Sequence, residues 1–441
     1  MFKELIFPGY VRLSRAGRHA SRKTSERGRL IQLGMLITMV VGMDMERTLA
    51  YQLFALLLCI IIGSRISLKI HPPNLSVQRH LPGFATANEP FEYYITVHNE
   101  GSNVERDLQL VDNPEVISPT LEQFRRAREP GEDTRNAYDR WIGFHRFIWL
   151  QRRNTGVIIK PSDVPDISLK ASVNVTVEAL PLRRGVVHLV STSILHPDPF
   201  RFNYGVTRFD NHQQLLVLPK RYRISAGFNM AGGRHFQPGG INPTWSIGES
   251  DEFASLRDYR DGDSMRKIHW ASSAKRNKPV VKEFQDEYFV RQALVLDTHI
   301  NDDTLLEETI AVAASFAMQS KSSDFLLDLV YAQHQVQLIT AGRGYAHMNQ
   351  QLEALATVNR SQSRFEVLSQ AVLQHARVIS GCIIVLGDWD ETRRSLIDQL
   401  RAMNLPVEAF VISHDESLES ELGGKAHLLP VDHIQDRLLS L

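Results

Sequence analysis

Acidic and basic side chains alternate almost residue by residue between Glu252 and Trp270, where the chain reads EFASLRDYRDGDSMRKIHW. Asp261 and Asp263 stand shortly before His269, and paired carboxylates near a histidine could perform general acid–base chemistry. No nucleophile elbow, phosphate-binding loop or metalloprotease motif accompanies them in the sequence. A hydrolase that uses this cluster is therefore an alternative hypothesis, without a supporting motif.

The charges in and around this stretch are balanced. Residues 248–287 contain nine acidic and eight basic side chains, and the 441-residue chain has fifty of each, with a net charge of zero at pH 7. Phosphate backbones attract a basic excess, so this balance argues against nucleic acid as the main partner. We expect a turn at Asp261–Asp263, then a helix capped by Asp263. Such balanced charges suit a specific contact with another protein or with the neighbouring domain.

Two further aspartates could bind a cation in the C-terminal third. From residue 289 onward, apolar runs alternate with helical patterns, which predicts a doubly wound α/β domain over residues 289–441. Asp297 and Asp388 each follow an apolar run, and sites in such sheets form beyond the carboxyl ends of the strands. Two carboxylates there could hold magnesium. Aspartate also caps helices well, and we favour that role, so no cofactor is expected.

The N-terminal region carries a membrane signal. A basic tail over residues 1–29 precedes the apolar runs LIQLGMLITMVVGM and LAYQLFALLLCIIIG. A membrane-spanning helix needs about 20 mostly apolar residues. The polar break at Asp44, Glu46 and Arg47 predicts a hairpin of two spans over residues 30–64. Basic residues beyond both outer ends place the tail and the following domains in the cytoplasm, at the inner membrane. The main alternative is a single span through Leu49–Ile70, with the domains outside the cell.

Residues 65–222 predict an antiparallel β-sandwich of the immunoglobulin-like kind, because short alternating runs are separated by turns. His196 and Asp198 lie in the sequence HPDPF, where we expect a turn-forming role. Residues 121–153 form a helical insertion with Trp141 and Trp149. This basic, tryptophan-containing segment could lie in a membrane interface, but we favour packing of its aromatic side chains on the sandwich.

The charged stretch also resembles the bacterial domain-of-unknown-function family fifty-eight. The residues that match its signature are Glu252, Phe253, Leu256, Arg257, Tyr259, Gly262, Asp263, Arg266, Ile268 and Trp270, followed by Ala271, Ala274, Lys275, Arg276, Val281 and Glu283. The resemblance implies a membrane hairpin, a β domain and a von Willebrand factor A-like C-terminal domain, with residues 223–288 as the signature segment between the two domains. It also implies a MoxR-type AAA+ ATPase as partner, and no reaction.

One departure concerns metal binding. Metal-binding A domains carry Asp-x-Ser-x-Ser after the first strand, whereas this chain has Asp297, Thr298, His299, Ile300 and Asn301 there. Both serines are replaced, which argues against a bound cation.

The leading hypothesis is a non-enzymatic, membrane-anchored accessory protein that works with this ATPase in protein assembly or maturation. The residues expected to make the partner or interdomain contact are Glu252, Arg257, Tyr259, Asp261, Asp263, Arg266, His269 and Trp270. The hydrolase, and a cation-dependent adhesion module that would use Asp297, are the alternatives.

Overall fold

The computed structural model describes residues 6–14, 24–41, 48–70, 72–225, 228, 253–260, 263–284, 290–319, 325–341 and 345–441. The chain divides into one unit of residues 1–221 with 352–358, and a second unit of residues 222–351 with 359–441.

Three helices begin the first unit: α1 over residues 6–14, α2 (Glu26–Val41) and α3 (Thr48–Ile70). Among the described residues, α3 is the one helix with the length and apolar composition of a membrane span, over Leu49–Ile70. It continues past the predicted hairpin end at residue 64, so Arg65 and Lys69 lie on its last turns. Helix α2 contacts α3 but has only 16 residues. The predicted polar break at residues 44–47 lies outside the described residues.

Two β-sheets follow and share one hydrophobic core. The nine strands are β1 (Leu75–His80), β2 (Phe84–Thr86), β3 (Phe91–Asn99), β4 (Gln109–Pro114), β5 (Val157–Ile159), β6 (Ser162–Asp163), β7 (Ser172–Pro181), β8 (Gly185–Pro197) and β9 (Tyr204–Leu218). One sheet has the order β1-β3-β7-β5 and the other β2-β9-β8-β4-β6. Alternate side chains point inward, so Ile95 and Val177 of the first sheet pack in one core with Ile194 and Val217 of the second. The expected β-rich region is confirmed, although β2 and β9 pair in parallel.

The helical insertion consists of α4 (Leu121–Arg126), α5 (Ala137–Ile142) and α6 (Phe144–Thr155). Gly143 separates α5 from α6 with a φ of 73°, a left-handed conformation that glycine adopts readily. Phe124 and Phe147 are fully buried and contact Tyr10 of α1. Their aromatic rings therefore pack inside the unit against helix α1, whereas we expected the aromatic side chains of this insertion to pack on the sandwich. Trp141 is 53% exposed.

The signature segment differs from its prediction. It contains β10 (Phe253–Asp258), a 3₁₀ turn (Met265–Lys267), α7 (Trp270–Arg276) and β11 (Val280–Phe284). We expected a loop and one helix capped by Asp263. Instead, Ile268 is extended and bridges Val281, which interrupts the helix and leaves His269 as the N-cap of α7. Strand β11 pairs with β10 in a two-stranded sheet.

The C-terminal region is confirmed as α/β. Its strands are β12 (Val290–Leu296), β13 (Phe325–Ala332), β14 (Val336–Ala341), β15 (Gly381–Leu386), β16 (Val407–Ser413) and β17 (His427–Pro430). Its helices are α8 (Asp303–Gln319), α9 (Tyr345–Thr357), α10 (Phe365–His375), α11 (Glu391–Ala402), α12 (Leu418–Leu422) and α13 (Ile434–Leu439). The sheet order is β14-β13-β12-β15-β16-β17, and only β14 is antiparallel to its neighbour.

Helices cover both faces of this sheet. Val295 of β12 and Ala409 of β16 share a core with Leu368 of α10 and Leu396 of α11. The next side chain along β16, Phe410, points to the opposite face and contacts Phe316 of α8, with ring centroids 4.9 Å apart. Burial on both faces explains why these strands read as continuous apolar runs.

Candidate partner-docking site

A bidentate ion pair between Arg257 and Asp263 fixes the turn after β10. Arg257 donates from Nη1 and Nη2 to the two carboxylate oxygens of Asp263, each at 2.7 Å. The backbone N–H of Arg260 also donates to Asp263, at 2.9 Å. The hydrogen bond from Arg257 is the main cause that lowers the pKa of Asp263 to about 2. Asp263 is therefore ionised at neutral pH and holds the turn, which does not suit a general acid.

His269 belongs to the junction between α7 and β11. Its backbone N–H donates to the Val280 carbonyl at 2.9 Å, and its Nδ1 lies 2.7 Å from the Ser272 hydroxyl. The Ser273 hydroxyl donates to the His269 carbonyl and accepts from the Val280 N–H, both at 2.9 Å. No carboxylate contacts the His269 ring within the described residues. A serine–histidine pair without a carboxylate to orient the ring has no triad geometry.

Large apolar side chains are exposed on this segment. Met265 is 69% exposed and Trp270 is 66% exposed, while Ile268 between them is buried. Arg266 and Lys275 are exposed as well. Exposed tryptophan and methionine beside arginine have the composition of a protein-interaction surface, because such side chains become anchors when a partner covers them.

The structure brings only some of the predicted contact residues together. Arg257 and Asp263 are paired, and Tyr259 is half-buried with its N–H donating to the Pro279 carbonyl at 2.9 Å. Glu252 and Asp261 lie outside the described residues.

The predicted cation site at the sheet edge contains an arginine. Asp297 directly follows β12 and is fully buried, and one oxygen, Oδ2, lies 2.8 Å from Nε of Arg393 on α11. The other, Oδ1, accepts from the His299 N–H at 2.8 Å. Burial opposes ionisation of Asp297, but His299 and Arg393 outweigh it and hold the pKa of the carboxyl below its ordinary value. Asp297 therefore does not cap the next helix.

The second cation candidate is mostly in solvent. The Asp388 side chain is 67% exposed and 3.9 Å from Arg393, whose Nη1 donates instead to Asp390 at 2.6 Å. Asp390, not Asp388, is the N-cap of α11. No group of three or more metal-ligating side chains occurs in the described part of the chain. Sequence reasoning missed Arg393, whose only local signal is its position in the first turn of a helix that follows two aspartates.

The HPDPF turn has a second role that the sequence did not reveal. Asp198 is buried and accepts from the N–H groups of Phe200 at 2.7 Å and Asn203 at 2.7 Å, as a turn-forming aspartate does. It also accepts from the hydroxyl of Ser64 on α3. On α2, the N–H of the preceding Ser25 donates to the Phe202 carbonyl at 3.0 Å. The turn thus holds both apolar helices to the β unit.

Sequence comparison matches the signature segment and most of the α/β unit to one protein family. Residues 255–433 match the family described as "Protein of unknown function DUF58". The uncharacterized protein YeaD of Bacillus subtilis is 28% identical over 148 residues, which cover 33% of this chain and 36% of YeaD. The chain thus matches about a third of the length of this curated relative.

Solved structures show only weak similarity. The CARDB domain of the PF1109 protein from Pyrococcus furiosus is 13% identical, covers 33% of this chain and 89% of that domain, and has a TM-score of 0.17. Proximal thread matrix protein 1 from the mussel byssus is 10% identical, covers 35% of this chain and 46% of that protein, and has a TM-score of 0.26. Residues 255–433 of this chain thus match the family of proteins of unknown function DUF58.

Proposed function

We propose that the protein is a non-enzymatic, membrane-anchored adaptor that docks a MoxR-type AAA+ ATPase through residues 253–284. The observation that carries this proposal is the exposure of Met265 and Trp270 on a segment whose turn the Arg257–Asp263 pair fixes. A preorganised surface loses little conformational entropy on binding. Most of the free energy gained by burying Met265 and Trp270 against a partner therefore contributes to affinity. The ATPase itself is the partner that the family resemblance implies.

The anchor in this proposal is a hairpin of α2 and α3 in the inner membrane, with both units on the cytoplasmic side. Contact between α2 and α3, and exposed apolar side chains such as Leu36 and Leu56, support a lipid environment. Arg65 and Lys69 at the end of α3 support the cytoplasmic orientation.

We further propose that the β unit is immunoglobulin-like and that the α/β unit is von Willebrand factor A-like. Two face-to-face sheets with one core support the first assignment. Five parallel strands with an antiparallel strand at one edge, covered by helices on both faces, support the second. The hydrolase and the adhesion module are not supported in this way, because their carboxylates are already paired. Arg257 binds Asp263, and Arg393 binds Asp297.

Co-purification from membranes tests the proposal. Full-length protein with the Met265→Ala, Arg266→Ala or Trp270→Ala substitution is compared with wild type for capture of the MoxR-type ATPase from the same organism. Trp141→Ala is the matched control, since it removes another exposed tryptophan from the other unit. We expect Trp270→Ala to weaken capture about tenfold or more, the effect of losing an interface anchor. Full capture by a Met265→Ala/Trp270→Ala double variant would refute the docking proposal.

A further inference from the structure

A cavity of about 1000 Å³ lies where the last turns of α3 meet the β unit. Arg65 and Lys69 of α3 line one side, and His196 of β8 and Arg208 of β9 line the other. Asn113 and Ser193 add an amide and a hydroxyl. No carboxylate is among the described residues that line it, so the cavity is positively charged.

Two of its cations are available to a ligand. Arg65 and Lys69 are exposed, and within the described residues neither has a hydrogen bond or an ion pair. Arg208 is paired with Asp210 at 2.9 Å, but both side chains are more than half exposed, and such pairs are weak and exchangeable. Guanidinium and ammonium groups on one wall of the cavity can donate hydrogen bonds to phosphate oxygens.

A buried histidine at the cavity wall is the second, independent observation. His196 is 8% exposed; the Leu68 backbone on α3 is a hydrogen-bond partner for one ring nitrogen, and the other has no partner within the described part of the chain. Its ring lies so close to Gly205 that a Cβ there would be 2.1 Å from Nε2, so the glycine makes room for the imidazole. Buried polar groups are nearly always hydrogen-bonded, so the remaining ring nitrogen can serve a ligand in the cavity.

We infer that this cavity binds a phosphate group, with Arg65, Lys69 and Arg208 as its cations and His196 as its buried hydrogen-bonding group. The inference rests on the proposed membrane anchoring in one respect. If α3 spans the bilayer, Arg65 and Lys69 lie at its cytoplasmic surface, the level at which phospholipid phosphates lie. The phosphate could therefore belong to an anionic phospholipid or to a small soluble phosphate ester.

Native mass spectrometry of the full chain in detergent measures binding of three probes: phosphatidylglycerol, phosphatidylcholine and glycerol phosphate. We expect saturable binding of phosphatidylglycerol or glycerol phosphate, about tenfold weaker in an Arg65→Gln/Lys69→Gln variant, since two charge-assisted hydrogen bonds are lost. Lys160→Gln/Lys170→Gln is the matched control, because it removes two exposed lysines of the same unit that do not line the cavity. His196→Gln is a second variant that should also weaken binding.

The probes separate the two sources. Preference for phosphatidylglycerol identifies a lipid, and equal or tighter binding of glycerol phosphate identifies a soluble ester. Equal binding of phosphatidylglycerol and phosphatidylcholine, with no loss in either cavity variant, would overturn the inference. Alkaline carbonate extraction of the same wild-type protein tests anchoring separately, because a protein released from membranes that still binds glycerol phosphate would refute the anchor alone.

Discussion

The guanidinium of Arg393 lies against the buried carboxylate of Asp297, with 2.8 Å between Nε and Oδ2. Asp297 lies at the carboxyl end of β12, the edge of the sheet where the sequence offers two carboxylates that could hold magnesium. Helix α11 supplies a positive charge from the chain itself, and Asp390 orients the same guanidinium from the side at 2.6 Å. The pair joins two segments that are distant in sequence.

The first prediction concerns the energetic coupling of this pair. Asp297→Asn or Arg393→Met leaves one buried charge without its main partner, so each should lower the free energy of unfolding by about 3–5 kcal/mol. The double variant should lose less than the sum, because neither charge remains. Urea unfolding followed by circular dichroism gives the coupling energy. The exposed pair Lys425–Asp398 is the control, and its Asp398→Asn change should cost less than about 1 kcal/mol. Additive losses would show that Asp297 and Arg393 act independently.

The second prediction is the pH dependence of this contribution. The pKa of folded Asp297 lies below its ordinary value of 3.8, so its ionised form contributes stability above that pH. The contribution is lost as pH falls through the lower, folded pKa. The stability difference between wild type and Asp297→Asn should therefore be constant from pH 7 to about pH 5 and should narrow only below about pH 4. A difference that already narrows near pH 6 would contradict a lowered pKa.

The third prediction concerns magnesium. Both oxygens of Asp297 already accept hydrogen bonds, and the adjacent guanidinium repels a cation. Millimolar magnesium or manganese should leave the melting temperature of the wild-type protein unchanged, since only a ligand that binds the folded state shifts it. Differential scanning fluorimetry with calcium as a parallel arm makes the measurement. Saturable stabilisation by magnesium that the Asp297→Asn variant lacks would restore the cation site.

The sequence predicted the elements that depend on local pattern. Continuous apolar runs such as GCIIVL became the buried strand β15, because both faces of that strand are covered. Strand β10 was not predicted, since its sequence FASLRD mixes charges with apolar residues and it pairs only with β11. Asp263 was expected to cap a helix, but Arg257 binds its carboxylate, and that competition depends on the strand being formed.

Contacts between distant segments were beyond sequence reasoning. Asp297 and Arg393 are 96 residues apart, and Ser64 and Asp198 are 134 residues apart. Each aspartate was singled out and given a local role. Asp198 does form the expected turn, but its bond to Ser64 is tertiary and has no periodic signature in either segment.

The fourth prediction tests the attachment of α3 to the β unit. Ser64→Ala removes a buried hydroxyl that donates to the Asp198 carboxylate, so it should lower the free energy of unfolding by about 1–3 kcal/mol. Asp198→Asn should cost at least as much, because its carboxylate also holds the backbone N–H groups of the turn. Ser67→Ala, about one turn later on the same helix, is the control and should have little effect. Thermal unfolding in detergent compares the three variants. Equal effects of Ser64→Ala and Ser67→Ala would show that the bond to Asp198 contributes nothing.

The fifth prediction tests which side of the membrane the units occupy. If α2 and α3 form a hairpin with cytoplasmic ends, a green fluorescent protein fused after Leu441 should fluoresce, and alkaline phosphatase at the same place should be inactive. The physical reason is the retention of Arg65 and Lys69 on the cytoplasmic side of α3. A control fusion that keeps α1 and α2 but stops before α3 should reverse both signals, because only one span would remain. An active phosphatase after Leu441 in the full chain would place the units outside, as a single span through α3 requires, and would remove the cytoplasmic ATPase as a partner.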